Sequence, residues 1–193
     1  MRHIWPSFCL LAVFTLLCGF AYPLAMIQFG QTFFPDQANG SVMERDGQVL
    51  GSYLLSFPSD KGENYFHSRP SNAVIDNGVL VGLASNYAQT NSELAESHKT
   101  ASGIWKEQYP NTDLMPTEMT FASASGLDPN ISYDAAMIQA IRVSENRKIP
   151  IDDLYIIIDQ YRKQVPLLKL DYVNVNRLNR ALDQIQPIDD GKP

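Results

Sequence analysis

Between Ile4 and Pro35 the chain carries no Asp, Glu, Lys or Arg. Within that stretch Phe8 to Ile27 is a run of about 20 mostly apolar residues, and a helix of that length, at roughly 1.5 Å per residue, covers the roughly 30 Å hydrocarbon core of a bilayer. A spanning helix over residues 8–29 is therefore the first expectation, with Trp5 and Tyr22 placed where amphipathic rings favour the two interfaces. Pro23 lacks an N–H and its ring clashes with the preceding turn, so it should kink or end the regular helix unless a partner or a local rearrangement accommodates it. The small positions Ala12 and Gly19 would permit close approach of a partner helix in lipid, beside Tyr22 and Pro23. Arg2 and the amino terminus favour a cytoplasmic start, residues 1–7, which puts everything after the span on the outer side.

Two processing alternatives share this pattern. Gly19-Phe20-Ala21 has small residues at cleavage-like positions, which would release the rest as a free module, but the apolar run continues past Ala21. Leu16-Leu17-Cys18-Gly19 is a poor lipoprotein box, because Leu17 stands where a small residue is expected. Cys9 and Cys18 are the only cysteines, so the body after the span can have neither a disulfide nor a thiolate metal site.

The chain has 193 residues and a net charge of −6, and one of its 15 basic residues precedes the span. That length holds one ordinary domain plus an appended segment and excludes a self-contained ion pump. An acidic body repels nucleic acid and offers no polybasic membrane patch. Along it, Ser41 to Leu50 reads as a hairpin turning at Asp46-Gly47, with further strands at Gly51–Phe57 and Tyr65-Phe66-His67 separated by a loop at 58–62. Thr90-Asn91-Ser92-Glu93 reads as a capping box, starting a helix with an apolar face of Leu94, Ala101, Ile104 and Trp105 that ends at Tyr109-Pro110. Met119–Ala122 is expected to be a strand. Ser132 should cap a helix to about Asn146 with Ala135, Ile138 and Ile141 among its apolar positions, and another helix over 152–162 places Leu154, Ile157, Ile158 and Tyr161 on one face. Tyr172 to Val175 reads as extended, and Leu178, Ala181 and Leu182 fit a terminal helix. The fold class is α+β, one small domain over 30–193.

Chemistry is sparse. No phosphate-binding loop, dinucleotide fingerprint or zinc-helix motif occurs. Ser125, His98 and Asp128 could be assembled into a hydrolase triad on paper, but Ser125 lacks the G-x-S-x-G setting. Asp152-Asp153 suits a helix start, where carboxylates meet free N–H groups, and Asp189-Asp190 falls in a tail. No catalytic residue and no metal ligand is assigned, and a membrane-tethered or released hydrolase or binding module stands as the competing class.

Several ordered blocks carry a resemblance: Gly19-Phe20-Ala21-Tyr22-Pro23-Leu24, Phe34-Pro35-Asp36-Gln37-Ala38-Asn39-Gly40-Ser41, Tyr65-Phe66-His67-Ser68-Arg69-Pro70-Ser71, Ser85-Asn86 with Thr90-Asn91 and Leu94, Ala122-Ser123-Ala124-Ser125-Gly126-Leu127-Asp128-Pro129-Asn130-Ile131-Ser132, and Val173-Asn174-Val175 through Asp183. In this order they resemble KdpC, the family of C subunits of the bacterial Kdp potassium-transporting ATPase. Leu83 and Ala84 stand where that family usually shows two glycines, which puts in doubt any close backbone approach or positive φ at those two positions.

The resemblance implies a single-pass inner-membrane subunit with a periplasmic α+β domain, without catalysis of its own. Its implied partners are the channel-like potassium-binding subunit, the P-type ATPase subunit and membrane lipid. The family is described as a catalytic chaperone that raises the ATPase subunit's affinity for ATP. Lacking a phosphate loop and lying across the membrane from the nucleotide, the domain is expected to bind no cofactor directly, leaving ATP and potassium to the complex and any effect on ATP to assembly. The candidate interface residues are Ala12, Gly19, Tyr22 and Pro23 in the span, Arg69, Pro70 and Ser71 on a stiff segment, and Ser125, Gly126, Leu127, Asp128 and Asn130 in a rigid loop. Arg69 is expected to make a bidentate carboxylate contact within the domain or with the channel-like subunit.

Overall fold

A computed structural model describes residues 3–45, 47–56, 62–71, 73–76 and 79–187. Arg2, Asp46 of the first turn, Phe57, most of the 58–62 loop and the Asp189-Asp190 tail lie outside the described residues. The chain divides into two compact units, residues 1–52 and 53–193.

The first unit is dominated by a helix from Ile4 to Phe33, long and apolar enough to cross a membrane and with none of its most apolar window buried. At about 1.5 Å per residue it extends about 45 Å, longer than the hydrocarbon core that the 8–29 expectation was fitted to. It comprises α1 (Ile4–Leu16), a π-helical turn over Leu17–Ala21 and α2 (Tyr22–Phe33). The π turn answers the proline. Pro23 has no N–H to offer the carbonyl of Gly19, and one residue earlier the Tyr22 N–H reaches back to the Leu17 carbonyl, widening the helix where the ring needs room. Phe34 leaves the helical region, Pro35 opens the short α3 (Pro35–Ala38), and an antiparallel hairpin follows, β1 (Val42–Arg45) with β2 (Gln48–Ser52). The hairpin expected at 41–50 is present, but its second arm ends at Ser52, so no separate strand occupies 53–56. It groups with the N-terminal helix.

The second unit carries a small hairpin, β3 (Val74–Asp76) with β4 (Val79–Val81), then α4 (Ser92–Gln108). The α4 cap is Asn91, whose side chain accepts from the Glu93 N–H at 2.9 Å, one residue later than the Thr90 box. Of the expected apolar face only Trp105 is buried, and Ile104 is exposed. Met119–Ala122 is not a strand: Thr117–Met119 forms a 3₁₀ turn. A three-stranded antiparallel sheet has β7 (Leu170–Asn174) at its centre, flanked by β5 (Asn130–Ser132) and β6 (Lys163–Val165). Between β5 and β6 run α5 (Tyr133–Arg147) and α6 (Ile151–Tyr161), and α7 (Val175–Ile185) follows β7 directly.

Ser132 caps α5, accepting from the Ala135 N–H at 3.1 Å, and Asn174 caps α7 in the same way from Arg177. Leu154, Ile157 and Ile158 of α6 and Leu178, Ala181 and Leu182 of α7 point inward as their spacing requires, packing with Ile131, Val143 and Val173. Each fully buried Leu or Ile contributes about 1.5–3 kcal/mol. α5 departs from expectation. Ile138 is half-buried and Ile141 exposed, while Gln139, Arg142 and Arg147 lie inside with Ala135, Ala136, Ala140 and Val143.

Candidate functional site

Those buried polar residues hold the segment that leads to Arg69. Tyr65-Phe66-His67, expected as a strand, belongs to no sheet. Side-chain amides take the part of a neighbouring strand: the Phe66 N–H donates to Asn179 Oδ1 at 2.8 Å and Asn179 Nδ2 returns to the Phe66 carbonyl at 2.9 Å. One residue on, the His67 N–H donates to Gln139 Oε1 at 2.7 Å, and Gln139 Nε2 donates to the His67 carbonyl at 3.0 Å. Two arginines extend the clamp. Arg142 donates to the carbonyls of Glu63 and Tyr65, to the Glu63 carboxylate at 3.2 Å and to the Tyr109 hydroxyl at 3.0 Å. Arg147 donates to the carbonyls of Asn64 and Gln186 and to Asp183 at 2.9 Å, with its guanidinium 4.5 Å from the Tyr65 ring centre. Guanidinium and amide groups are suited to this, because each satisfies several buried backbone groups from one rigid plane.

The segment so held delivers Arg69, Pro70 and Ser71 to the loop that precedes β5. Arg69 Nη1 lies 3.3 Å from Asp128 Oδ2, and Nη2 is 3.4 Å from the carbonyls of Phe121 and Ala122. The expected bidentate contact is therefore split, one arm on the carboxylate and one on backbone, and it closes within the domain. Ser71 Oγ donates to the Gly126 carbonyl and accepts from the Ala73 N–H at 3.0 Å. The loop is tied to itself as well: Asp128 Oδ1 accepts from the Asn130 N–H at 3.0 Å and Nδ2 at 3.1 Å, and the Leu127 N–H donates to Ser125 Oγ at 3.2 Å. The Leu127 carbonyl accepts from the Ser56 N–H and the Pro129 carbonyl from the Val175 N–H. Gly126 has φ +71°, and a Cβ on it would lie 2.7 Å from the Leu83 carbonyl oxygen. The close approach thus falls at Gly126, and also at Gly82 against Leu127, while Leu83 and Ala84 keep negative φ.

The K+-transporting ATPase c chain family, KdpC, matches residues 4–184. The chain belongs to the KdpC family. It is similar to the potassium-transporting ATPase KdpC subunit of Rhodospirillum rubrum, 39% identical over 97% of this chain and 98% of the relative. The KdpC subunits of Mycobacterium bovis (38% identical, 95% of this chain and 99% of the relative) and Caulobacter vibrioides (39%, 97% and 95%) are similar over the same extent.

Within this KdpC-family domain the candidate residues form two groups. Arg69, Pro70, Ser71, Ser125, Gly126, Leu127, Asp128 and Asn130 converge in the second unit. Asn130 is the first residue of β5 and is half-buried, its side chain engaged by Asp128 and Asn174 rather than presented as a free surface amide. Ala12, Gly19, Tyr22 and Pro23 lie on the N-terminal helix, where Gly19 faces open space. The triad does not assemble: His98 stacks on the Phe121 ring at 4.2 Å and its Nδ1 faces Ser102 and the Thr120 carbonyl, while Asp128 is engaged by Arg69. Apolar spacing does not single out Gln139, Arg142, Arg147 and Asn179. Their only signal was a polar residue at positions one helical turn from buried apolar ones.

A cleft of about 470 Å³ lies beside this site, between α4 and the clamped segment, lined by Glu63, His67, Arg69, Trp105, Gln108 and Tyr109 among others. Burial, with the Arg142 guanidinium nearby, pushes His67 below its ordinary pKa, although Nε2 also meets the Gly62 carbonyl at 2.9 Å. The folded state therefore binds this proton less well than the unfolded chain. Stability contributed here is fully present above about pH 6.5 and is lost as the pH falls through the lowered value. Denaturation of the detergent-solubilised chain should show this decline on acidification, and His67→Gln should flatten it. An unchanged slope in the variant would assign the acid sensitivity to other groups.

Proposed function

We propose that this chain is a non-catalytic, single-pass subunit of a bacterial potassium-transporting ATPase of the Kdp type, and that it joins a channel-like potassium-binding subunit to a P-type ATPase subunit. The match to KdpC relatives over almost the whole chain carries this reading. The charge-free helix with Arg2 before it supports an inner-membrane location with the domain in the periplasm. The chain's contribution is a preformed docking body. The Arg69–Asp128 loop is hydrogen-bonded before any partner arrives, so it meets a surface at little ordering cost. Any effect on the ATPase subunit's affinity for ATP is transmitted through assembly, as a free energy shared between sites, without nucleotide or potassium binding directly to this domain.

Co-purification in mild detergent tests this. With the other subunits co-expressed, the chain should be recovered in the complex, and recovery of it alone would defeat the subunit reading. Arg69→Ala should lower complex recovery several-fold. The pair is partly exposed, with side chains 24% and 33% accessible, so the loss in domain stability should stay near 1 kcal/mol. Arg69→Lys should fall between, because an ammonium cannot serve the carboxylate and both carbonyls from one plane. If both variants assemble and melt like the parent, the loop is not the docking element.

A further inference from the structure

The β6–β7 hairpin has an unusual tip. Its turn carries Leu167 and Leu168 and its second strand opens on Leu170, with 92%, 62% and 56% of their surface exposed, a concentration of apolar side chains that a soluble surface avoids. The turn is ordered: the Leu168 N–H bonds to the Val165 carbonyl, the Lys169 N–H to the Pro166 carbonyl, and Lys169 takes a positive φ. The root is pinned. Arg162 donates to Asp171 across the hairpin and lies 4.4 Å over the Tyr133 ring, whose hydroxyl donates to Asp159. Residues 162–170 contain no acid, and with Arg162 engaged by Asp171 the exposed Lys169 in the turn and Lys163 at the start of β6 leave the hairpin positive on an otherwise acidic chain.

We propose that this tip is an interfacial anchor that inserts its leucines among the headgroups of an anionic bilayer, with Lys163 and Lys169 against the lipid phosphates. The inference rests on the membrane-tethered reading above, which supplies the bilayer. Charge complementarity and composition choose the occupant. Aliphatic residues flanked by lysine suit an anionic lipid surface, whereas protein interfaces draw most of their energy from Trp, Tyr and Arg, and leucine is under-represented among such residues. The pinned root presents the tip without further ordering.

The test uses the full-length chain in vesicles with an environment-sensitive fluorophore on a single thiol. Leu168→Cys in a Cys9→Ser/Cys18→Ser background reports the tip, Gln160→Cys in the same background is the exposed control, and native Cys18 in Cys9→Ser reports the tether. In phosphatidylcholine vesicles containing phosphatidylglycerol, spin-labelled lipid should quench the probes at 168 and 18 but not at 160. Replacing Lys163 and Lys169 by Glu should lower the inserted fraction at 168 at least about fivefold per lysine, the factor corresponding to about 1 kcal/mol per basic residue near an anionic surface. A probe at 168 as unquenched as that at 160, with Cys18 quenched, overturns the anchor and leaves the tether standing. An unquenched Cys18 overturns both. Equal quenching at 168 without phosphatidylglycerol overturns the anionic preference, and a tip shielded only when the other subunits are co-reconstituted, without lipid quenching, assigns it to a protein partner instead.

Discussion

Arg142→Leu should cost the domain about 3–5 kcal/mol, a large share of the 5–15 kcal/mol that holds an ordinary domain folded. The side chain is buried at the centre of the clamp, and its removal strands the carbonyls of Glu63 and Tyr65 and the Tyr109 hydroxyl together. Leucine fills part of the volume but offers no donor, so each of those acceptors bears its own desolvation penalty. The loss should appear first in hydrogen exchange at residues 63–71, before the sheet and α6 open, because the segment has side-chain partners there in place of a strand. Arg142→Lys should recover only part of the loss, since one ammonium reaches fewer of the acceptors. A variant melting within 1 kcal/mol of the parent would mean that water replaces the guanidinium at little cost.

The elements that were legible in the sequence are those whose signal is local. The N-terminal apolar helix announces itself through absent charge, α5 through the Ser132 cap, and α6 and α7 through apolar spacing. β5 and β6 have three residues each, too few for alternation to register, and β7 earns its central place from partners more than thirty residues before it and a few residues away. The 65–67 segment is not a strand; what periodicity could not supply is that its backbone partners are side chains on α5 and α7. In α5 apolar spacing picks out Ile138 and Ile141 but leaves no room for the inward Arg142 and Arg147. At the site, Arg69 and Asp128 both lie in blocks that carry the family resemblance, but nothing local pairs two residues 59 apart. Their meeting depends on the clamp, whose polar residues apolar spacing does not pick out.

Gly126→Val should destabilise the domain by roughly 3 kcal/mol, and the comparison with two milder substitutions identifies why. Two constraints meet at this position. The φ of +71° excludes a β-branched residue, and any Cβ would stand 2.7 Å from a backbone oxygen, that of Leu83, which cannot swing away as a side chain would. Asn tolerates left-handed backbone but still has a Cβ. If φ alone governs the site, Gly126→Asn should lose well under half of what Val loses; if the close approach governs it, Asn and Ala should both be costly. The short distance favours the second outcome. Gly82→Ala is the contrast, because its nearest obstacle at 2.6 Å is the Leu127 side chain, which can rotate, leaving a 3.0 Å contact with the Ser125 carbonyl. It should therefore be milder than Gly126→Ala. Thermal melts of the four detergent-solubilised variants decide the order. If Gly82→Ala proves the costlier of the two alanines, Leu127 is the fixed element and the 82–83 segment after β4 is what yields. The same melts bear on function: Gly126 variants move the carbonyl that Ser71 holds and, through the loop, Asp128 against Arg69. Their complexes should fail in co-purification at temperatures where the domain itself remains folded. Loss of assembly only in step with unfolding would reduce the loop to architecture.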